Sequence, residues 1–271
     1  METFEKYRPT DPILKPLISW FVFWRKTKDC NTSTIVLPNN ICGFGLTLSG
    51  NLLVKKEKGF IEMPKFGTRN ILDKASEIKS GGDFFNISIR LNFPCSLYFF
   101  TKIPMNKVYE NDHISLNEIF SDSEMNILEE RLFEANDDYD KKIVIEKFLV
   151  SKLNFGGNLL FNTIIMHIHN YKGNLNVSYL AKEFKISEKS INRYFNKYIG
   201  ISTVAYINLI KFRSVLNTFE NCKIIQPTNS LDFGYYDQSH FIRHFKEFSL
   251  VTPLKFFEML KSKELSDLYN F

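Results

Sequence analysis

The chain has 271 residues, 44% of them hydrophobic and 27 of them phenylalanine, which is ample for packed cores and excludes a disordered polyelectrolyte. Its net charge of +5 is unevenly placed: residues 1–155 hold 21 basic and 21 acidic side chains, residues 156–271 hold 14 and 9. No uncharged apolar run reaches the roughly 18 residues of a membrane span, and the N-terminal METFEKYRPTDP lacks a signal-peptide core, so a cytoplasmic protein with no membrane partner is expected.

A chain of this length is expected to divide into two domains. Cys30, Cys42, Cys95 and Cys222 lie far apart with no CxxC pair and read as reduced thiols. Residues 13–24, ILKPLISWFVFW, read as a strand, or a short helix and then a strand, buried on both faces. Short strands follow at 35–37, 43–48, 52–55, 59–63 and 66–71, separated by turn residues such as Pro38-Asn39-Asn40 and Ser49-Gly50-Asn51. Residues 84–93 alternate, with Phe85, Ile87, Ile89, Leu91 and Phe93 on one face. The expected fold class is α+β: a β-rich, cupin-like small barrel or sandwich with flanking helices, then an all-α domain.

Helices take over after residue 120. Ser121 or Asp122 can cap a helix to about residue 134, and residues 139–153 give a second. Phe155-Gly156-Gly157-Asn158 is the candidate boundary, giving domains 1–155 and 156–271. Beyond it, residues 159–171 are helical and stop at Gly173, and Asn176 can cap a helix over 177–184. Ser202 can cap a long helix to about residue 219, a spacer with Ala205, Leu209, Phe212 and Leu216 along its spine.

Flanking the spacer are two copies of one unit. In the later copy, Phe241, Phe245 and Phe248 form an i, i+4, i+7 stripe, Asp237 is the N-cap, and Gly234 supplies a tight turn. Its outer face carries Gln238, Ser239, His240, Arg243 and Lys246. Fifty positions earlier, Ser187 replaces the cap, Ile191 and Phe195 replace the phenylalanines, Arg193 replaces Arg243, and Gly200 falls opposite Leu250. That face holds Ser187, Glu188, Lys189, Asn192, Arg193, Asn196 and Lys197. A capped helix with an apolar back and a cationic front, after a tight turn, reads as the second helix of a helix-turn-helix; two copies in register strengthen that reading. Arg193 and Arg243 suit guanine and Asn192 and Gln238 suit adenine, whereas Lys189 and Lys246 suit phosphate. His240 fits either DNA or a brace against Asp237, His244 reads as surface, and Tyr235 and Tyr236 read as packed at the turn.

Residues of about 160–260 resemble the DNA-binding domain of the AraC/XylS family of bacterial transcription regulators. The stretches that carry the resemblance are LAKEFKISEKSINRYFNKYIGIS, YINLIKFRSVLN and FGYYDQSHFIRHFKEFSLVTP. It implies two helix-turn-helix subdomains joined by a helix, with recognition helices 187–198 and 237–248 reading adjacent major grooves of double-stranded DNA. More faintly, PLISWFVFW, VLPNN and ISIRLNFP resemble the sensor domain of a subset of that family, which implies a small-molecule effector, self-association, or both. RNA polymerase is a further candidate partner, and monomer and homodimer both stay open. The chain departs from the pattern at Leu250, where glycine is expected, at Thr203, and at Gln226, Asn229 and Ser230 in the first helix of the second unit.

Catalysis is not expected. Residues 1–155 hold one histidine, His113, too few for a metal-binding cupin; His167 and His169 diverge on a helix; and no phosphate-cradling or nucleophile motif is present. No metal or cofactor is therefore expected. Two readings remain: a sequence-specific regulator with a sensing N-terminal domain, or a ligand-binding protein whose degraded second unit no longer reads DNA.

Overall fold

The computed structural model describes residues 2–27, 33–56, 58–69, 71–110, 113–154, 159–222 and 233–261. Strands β1 (Glu2–Tyr7), β2 (Ile18–Lys26), β3 (Thr34–Val36), β4 (Gly43–Lys56), β5 (Gly59–Glu62), β6 (Phe66–Arg69) and β7 (Ser76–Leu91) form one antiparallel sheet. Its order is β1-β2-β7-β4-β5, with β3 added to β7 and β6 added to β4.

Alternation along three central strands gives this sheet two working faces. Register sets Phe21 and Phe44 beside Ile89, and Phe23 and Leu46 beside Ile87. Because side chains alternate, these buried residues share one face. Helices α1 (Leu97–Thr101), α2 (Met105–Glu110), α3 (Asp122–Glu134) and α4 (Asp138–Lys152) add to its core, with Phe100 edge-on to Phe44 at 5.7 Å. The opposite face carries a smaller cluster of Trp24, Val36, Leu52, Ile78 and Phe84.

The expected β-rich region is one seven-stranded antiparallel sheet, and the strands expected at 43–48 and 52–55 are a single strand. Ser49-Gly50-Asn51 is a bulge, with register shifts on both sides of Ser49, rather than a break. Gly50 has φ +68°, and a Cβ there would lie 2.4 Å from the Gly81 carbonyl oxygen, so only glycine lets the strands cross this closely. β1 and the first half of β7 went unpredicted: the former is a charged edge strand, the latter a polar segment interrupted by Gly81-Gly82.

Ser121 and Glu124 form the capping box of α3, and Asp137 caps α4. On α4, Lys142 is fully buried and Glu146 nearly so. Glu146 accepts from the Thr10 backbone and hydroxyl, both at 2.6 Å, and Lys142 donates to the same hydroxyl at 2.7 Å. This buried network staples the N-terminal segment to the helices beneath the sheet.

The remaining helices are α5 (Leu159–Asn170), α6 (Val177–Glu183), α7 (Glu188–Tyr198), α8 (Thr203–Cys222), α9 (Gln238–Ser249) and α10 (Pro253–Lys261). The candidate boundary at 155–158 and the departures at Gln226, Asn229 and Ser230 lie outside the described residues. One apolar cluster runs from the sheet through α5 into α7 and α9, and Tyr98 of α1 meets Tyr198 of α7 edge-on at 5.2 Å. The unpredicted α10 begins at Pro253, where a proline suits the first helical turn. At the end of α9, Leu250 is left-handed, φ +67°, whereas its counterpart after α7 is Gly200, φ +92°.

Two stability changes are expected. Glu146→Ala strips Lys142 of its buried carboxylate and should cost about 3–5 kcal/mol, read as a shift in the urea midpoint. Leu250→Gly relieves a left-handed leucine that is 60% exposed, so little packing is lost, and should stabilise by about 1 kcal/mol in the same assay.

Candidate nucleic-acid interface

Both expected units contain their second helix, built the same way. Ser187 accepts from the Ser190 backbone at 3.1 Å, and Asp237 accepts from the His240 backbone at 2.6 Å. Each N-cap fixes where its helix starts and so which residues face outward. Ile191, Phe195 and Tyr198 are buried on α7; Phe241, Phe245 and Phe248 are buried on α9. The tight turn before α9 is Gly234, φ +70°, as expected; before α7 the positive φ falls on Lys185, at +53°.

The outward faces are polar and open. Ser187, Glu188, Lys189, Arg193, Asn196 and Lys197 are exposed on the first unit, as are Gln238, Ser239, Arg243 and Lys246 on the second. Lys197 lies at the far end of α7 and leans back over Tyr98 of α1, its Nζ 5.3 Å from the ring centroid. α1 therefore meets α7 at its C-terminal end, while Lys189 and Arg193 stay exposed.

Three expectations are corrected. Asn192, expected to pair with adenine, is half-buried: its Oδ1 accepts from the Thr203 hydroxyl at 2.7 Å and the Thr203 backbone at 3.3 Å. It caps the spacer helix, and with that oxygen engaged a bidentate pair with a base is lost. His244, expected at the surface, is buried, with Nδ1 2.9 Å from the Tyr235 hydroxyl. Burial, then the nearby Lys211 and His240, pushes its pKa down to about 4, so the ring is neutral at pH 7. Tyr235 packs at the turn as expected, but Tyr236 is 88% exposed beside the cap of α9. Stepwise burial of one tyrosine and exposure of the next follows from the turn at Gly234, which no periodicity reports. His240 is half-buried, its ring edge-on to Tyr235 at 5.4 Å, which favours the bracing role.

A second feature lies on the face of the sheet opposite the helix-covered core. Trp24, Val36, Leu52, Met63 and Ile78 line a cavity of about 160 Å³ that also takes in Asn86, Arg69 and Arg90. The Arg69 guanidinium lies flat against Gly45, where a Cβ would come within 2.2 Å of its Nε. Burial lowers the pKa of both arginines to about 10, with Arg213 adding to the effect on Arg90, so both stay cationic at neutral pH. The sequence reading missed these residues because an arginine inside a sheet looks like any outward strand position. Among the described residues no three His, Cys, Asp or Glu side chains converge as metal ligands, and no single helix is long and apolar enough to cross a membrane.

No curated protein sequence matches the chain. Among solved structures, ToxT from Vibrio cholerae is 13% identical, covering 95% of this chain and 98% of that one, with a TM-score of 0.47. ToxT from Vibrio cholerae O395 bound to (E)-4-(8-methylnaphthalen-1-yl)but-3-enoic acid is 14% identical over 95% and 99%, TM-score 0.47. The AraC-like transcriptional activator CuxR is 13% identical over 80% and 86%, TM-score 0.25. These likenesses are too weak to carry an assignment. The sequence match is the stronger finding: a helix-turn-helix domain family covers residues 180–259, which include α7, α8 and α9. With the paired capped helices, that match makes residues 180–259 a helix-turn-helix domain and supports the resemblance to the AraC/XylS family of transcription regulators.

Proposed function

We propose that this regulator reads one stretch of duplex with α7 and α9 in adjacent major grooves, and that the cavity of the sheet domain holds a small anionic effector. The observation that carries the DNA reading is the repeated geometry. Two capped helices each bury an apolar stripe and hold an exposed arginine at the same offset, Arg193 and Arg243. Arginine pairs in bidentate fashion with guanine, and Gln238 suits adenine. Lys189, Lys246 and Lys197 supply phosphate contacts, which give affinity that falls with salt. Tyr236 adds an aromatic face beside Gln238. Helices held at one spacing would read half-sites about 10–10.5 base pairs apart.

The effector reading rests on the lining of the cavity. Its apolar walls suit a hydrocarbon or aromatic body, and Arg69 and Arg90 suit a carboxylate. Its volume is close to that of an engineered cavity of about 150 Å³ that binds benzene. A monocarboxylate with a body of that size is therefore the ligand class.

Selection from a random DNA pool should yield a motif. Against it, Arg243→Ala should relax specificity at one base position, at about 1–3 kcal/mol of discrimination. Lys246→Ala should weaken all sequences alike and lower the salt slope by about 1. Equal losses on every sequence for both variants would remove the base-reading role of Arg243. Benzoate and short-chain carboxylates should raise the melting temperature, matching amines should not, and Arg69→Met should abolish the shift. A shift of the same size in Arg69→Met would sink the effector assignment.

A further inference from the structure

Two recognition helices read a spaced site only if the angle between them is held. Phe212 of the spacer packs against Phe245 and Phe248 of α9, with ring centroids 5.3 and 5.0 Å apart. Apolar burial is strong but non-directional, so it holds α9 against α8 without fixing its rotation. A second set of contacts, polar and at the edge of that apolar seam, supplies direction.

These contacts run through one junction. Gly173, φ +73°, ends the α5 region and lies flat on α8: a Cβ there would be 2.6 Å from both the Ile207 carbonyl oxygen and the Lys211 nitrogen. The next residue, Asn174, covers the turn of the second unit, and a Cβ on Gly234 would fall 2.2 Å from its Oδ1. Lys211 of α8 donates from Nζ to the Gly234 carbonyl oxygen at 2.5 Å, and the same Nζ sits 4.5 Å from the centroid of the Tyr235 ring. Tyr235 in turn hydrogen-bonds His244 of α9 at 2.9 Å. Consecutive contacts thus join the turn before the first unit, the spacer, the turn of the second unit and the second recognition helix.

We propose that Lys211, seated by Gly173 and Asn174, is a positioning residue that locks the turn before α9 and so sets the spacing and rotation between the half-sites that the protein accepts. A charge-assisted hydrogen bond to a backbone carbonyl is directional, and the ammonium over Tyr235 adds a second restraint on the same turn. With its Nζ engaged by the Gly234 carbonyl and the Tyr235 ring, Lys211 is assigned a role in holding the turn rather than in reading a base. Resting on the two-helix reading above, this assigns the control of spacing to a junction behind the interface.

The test uses the full chain and a duplex that it selects from a random pool. Inserting two base pairs between the half-sites rotates one of them by about a fifth of a turn. The wild type should then lose on the order of 10²-fold in affinity, because both helices no longer engage together. Lys211→Met keeps the aliphatic stem and should cut that spacing penalty by about tenfold, with wild-type affinity for a duplex in which the second half-site is scrambled. Asn174→Ala, a milder change at an exposed position, should move the penalty in the same direction, and Lys211→Arg should restore it. If both Lys211→Met and Asn174→Ala keep the full penalty, or lose affinity equally on the single-site duplex, the positioning role is overturned. If the wild type itself shows no dependence on the second half-site or on spacing, the two-helix reading fails instead.

Discussion

The cationic faces of α7 and α9 depend on what the opposite sides of those helices hold. At 11 and 12 residues, both are too short to persist alone in water. Their stability comes from burial of Ile191, Phe195 and Tyr198 in one case and Phe241, Phe245 and Phe248 in the other. Each buried side chain of this size contributes about 1.5–3 kcal/mol. Phe161 of α5 touches Phe195 edge-on at 5.1 Å, and Phe256 of α10 meets Phe245 the same way at 5.2 Å. The polar front is therefore displayed by an aromatic back, and the arginines are aimed by residues that never leave the core.

The sheet domain uses the same economy across its two faces. Along β7, Ile87, Ile89 and Leu91 enter the core shared with the helices, while Asn86, Ser88 and Arg90 line the cavity. Alternation along a single strand places both sets on one backbone. A molecule in the cavity would thus rest against the strand whose other side joins the core that reaches α7. Arg90 also feels the charge of Arg213 on the spacer helix, so electrostatics as well as packing cross between the two regions.

The parts of this molecule governed by local rules were legible in the sequence. The caps Ser121, Ser187 and Asp237, the turn at Gly234, the aromatic stripes and the fifty-residue repeat each follow from spacing within a few turns. What long-range contacts decide was not. Gly50 looks like a turn residue, and only the approach of Gly81 shows it to be a bulge inside one strand. Asn192 carries the right chemistry for adenine, but the nearby end of α8 claims its oxygen. His244 flanks the apolar stripe, three residues after Phe241 and four before Phe248, and its buried ring faces Tyr235; its polar ring, not its position, suggested the surface. Arg69 and Arg90 belong to a cavity assembled from five strands and loops between them, a set that no window of neighbouring residues contains.

The absence of a side chain at Gly45 shapes the cavity. That gap is the seat of the Arg69 guanidinium. Alanine or anything larger there would displace the guanidinium and so change the room inside the cavity and the place of one of its two positive charges. A single position on β4 thus shapes the lining of the cavity without touching any residue of α7 or α9.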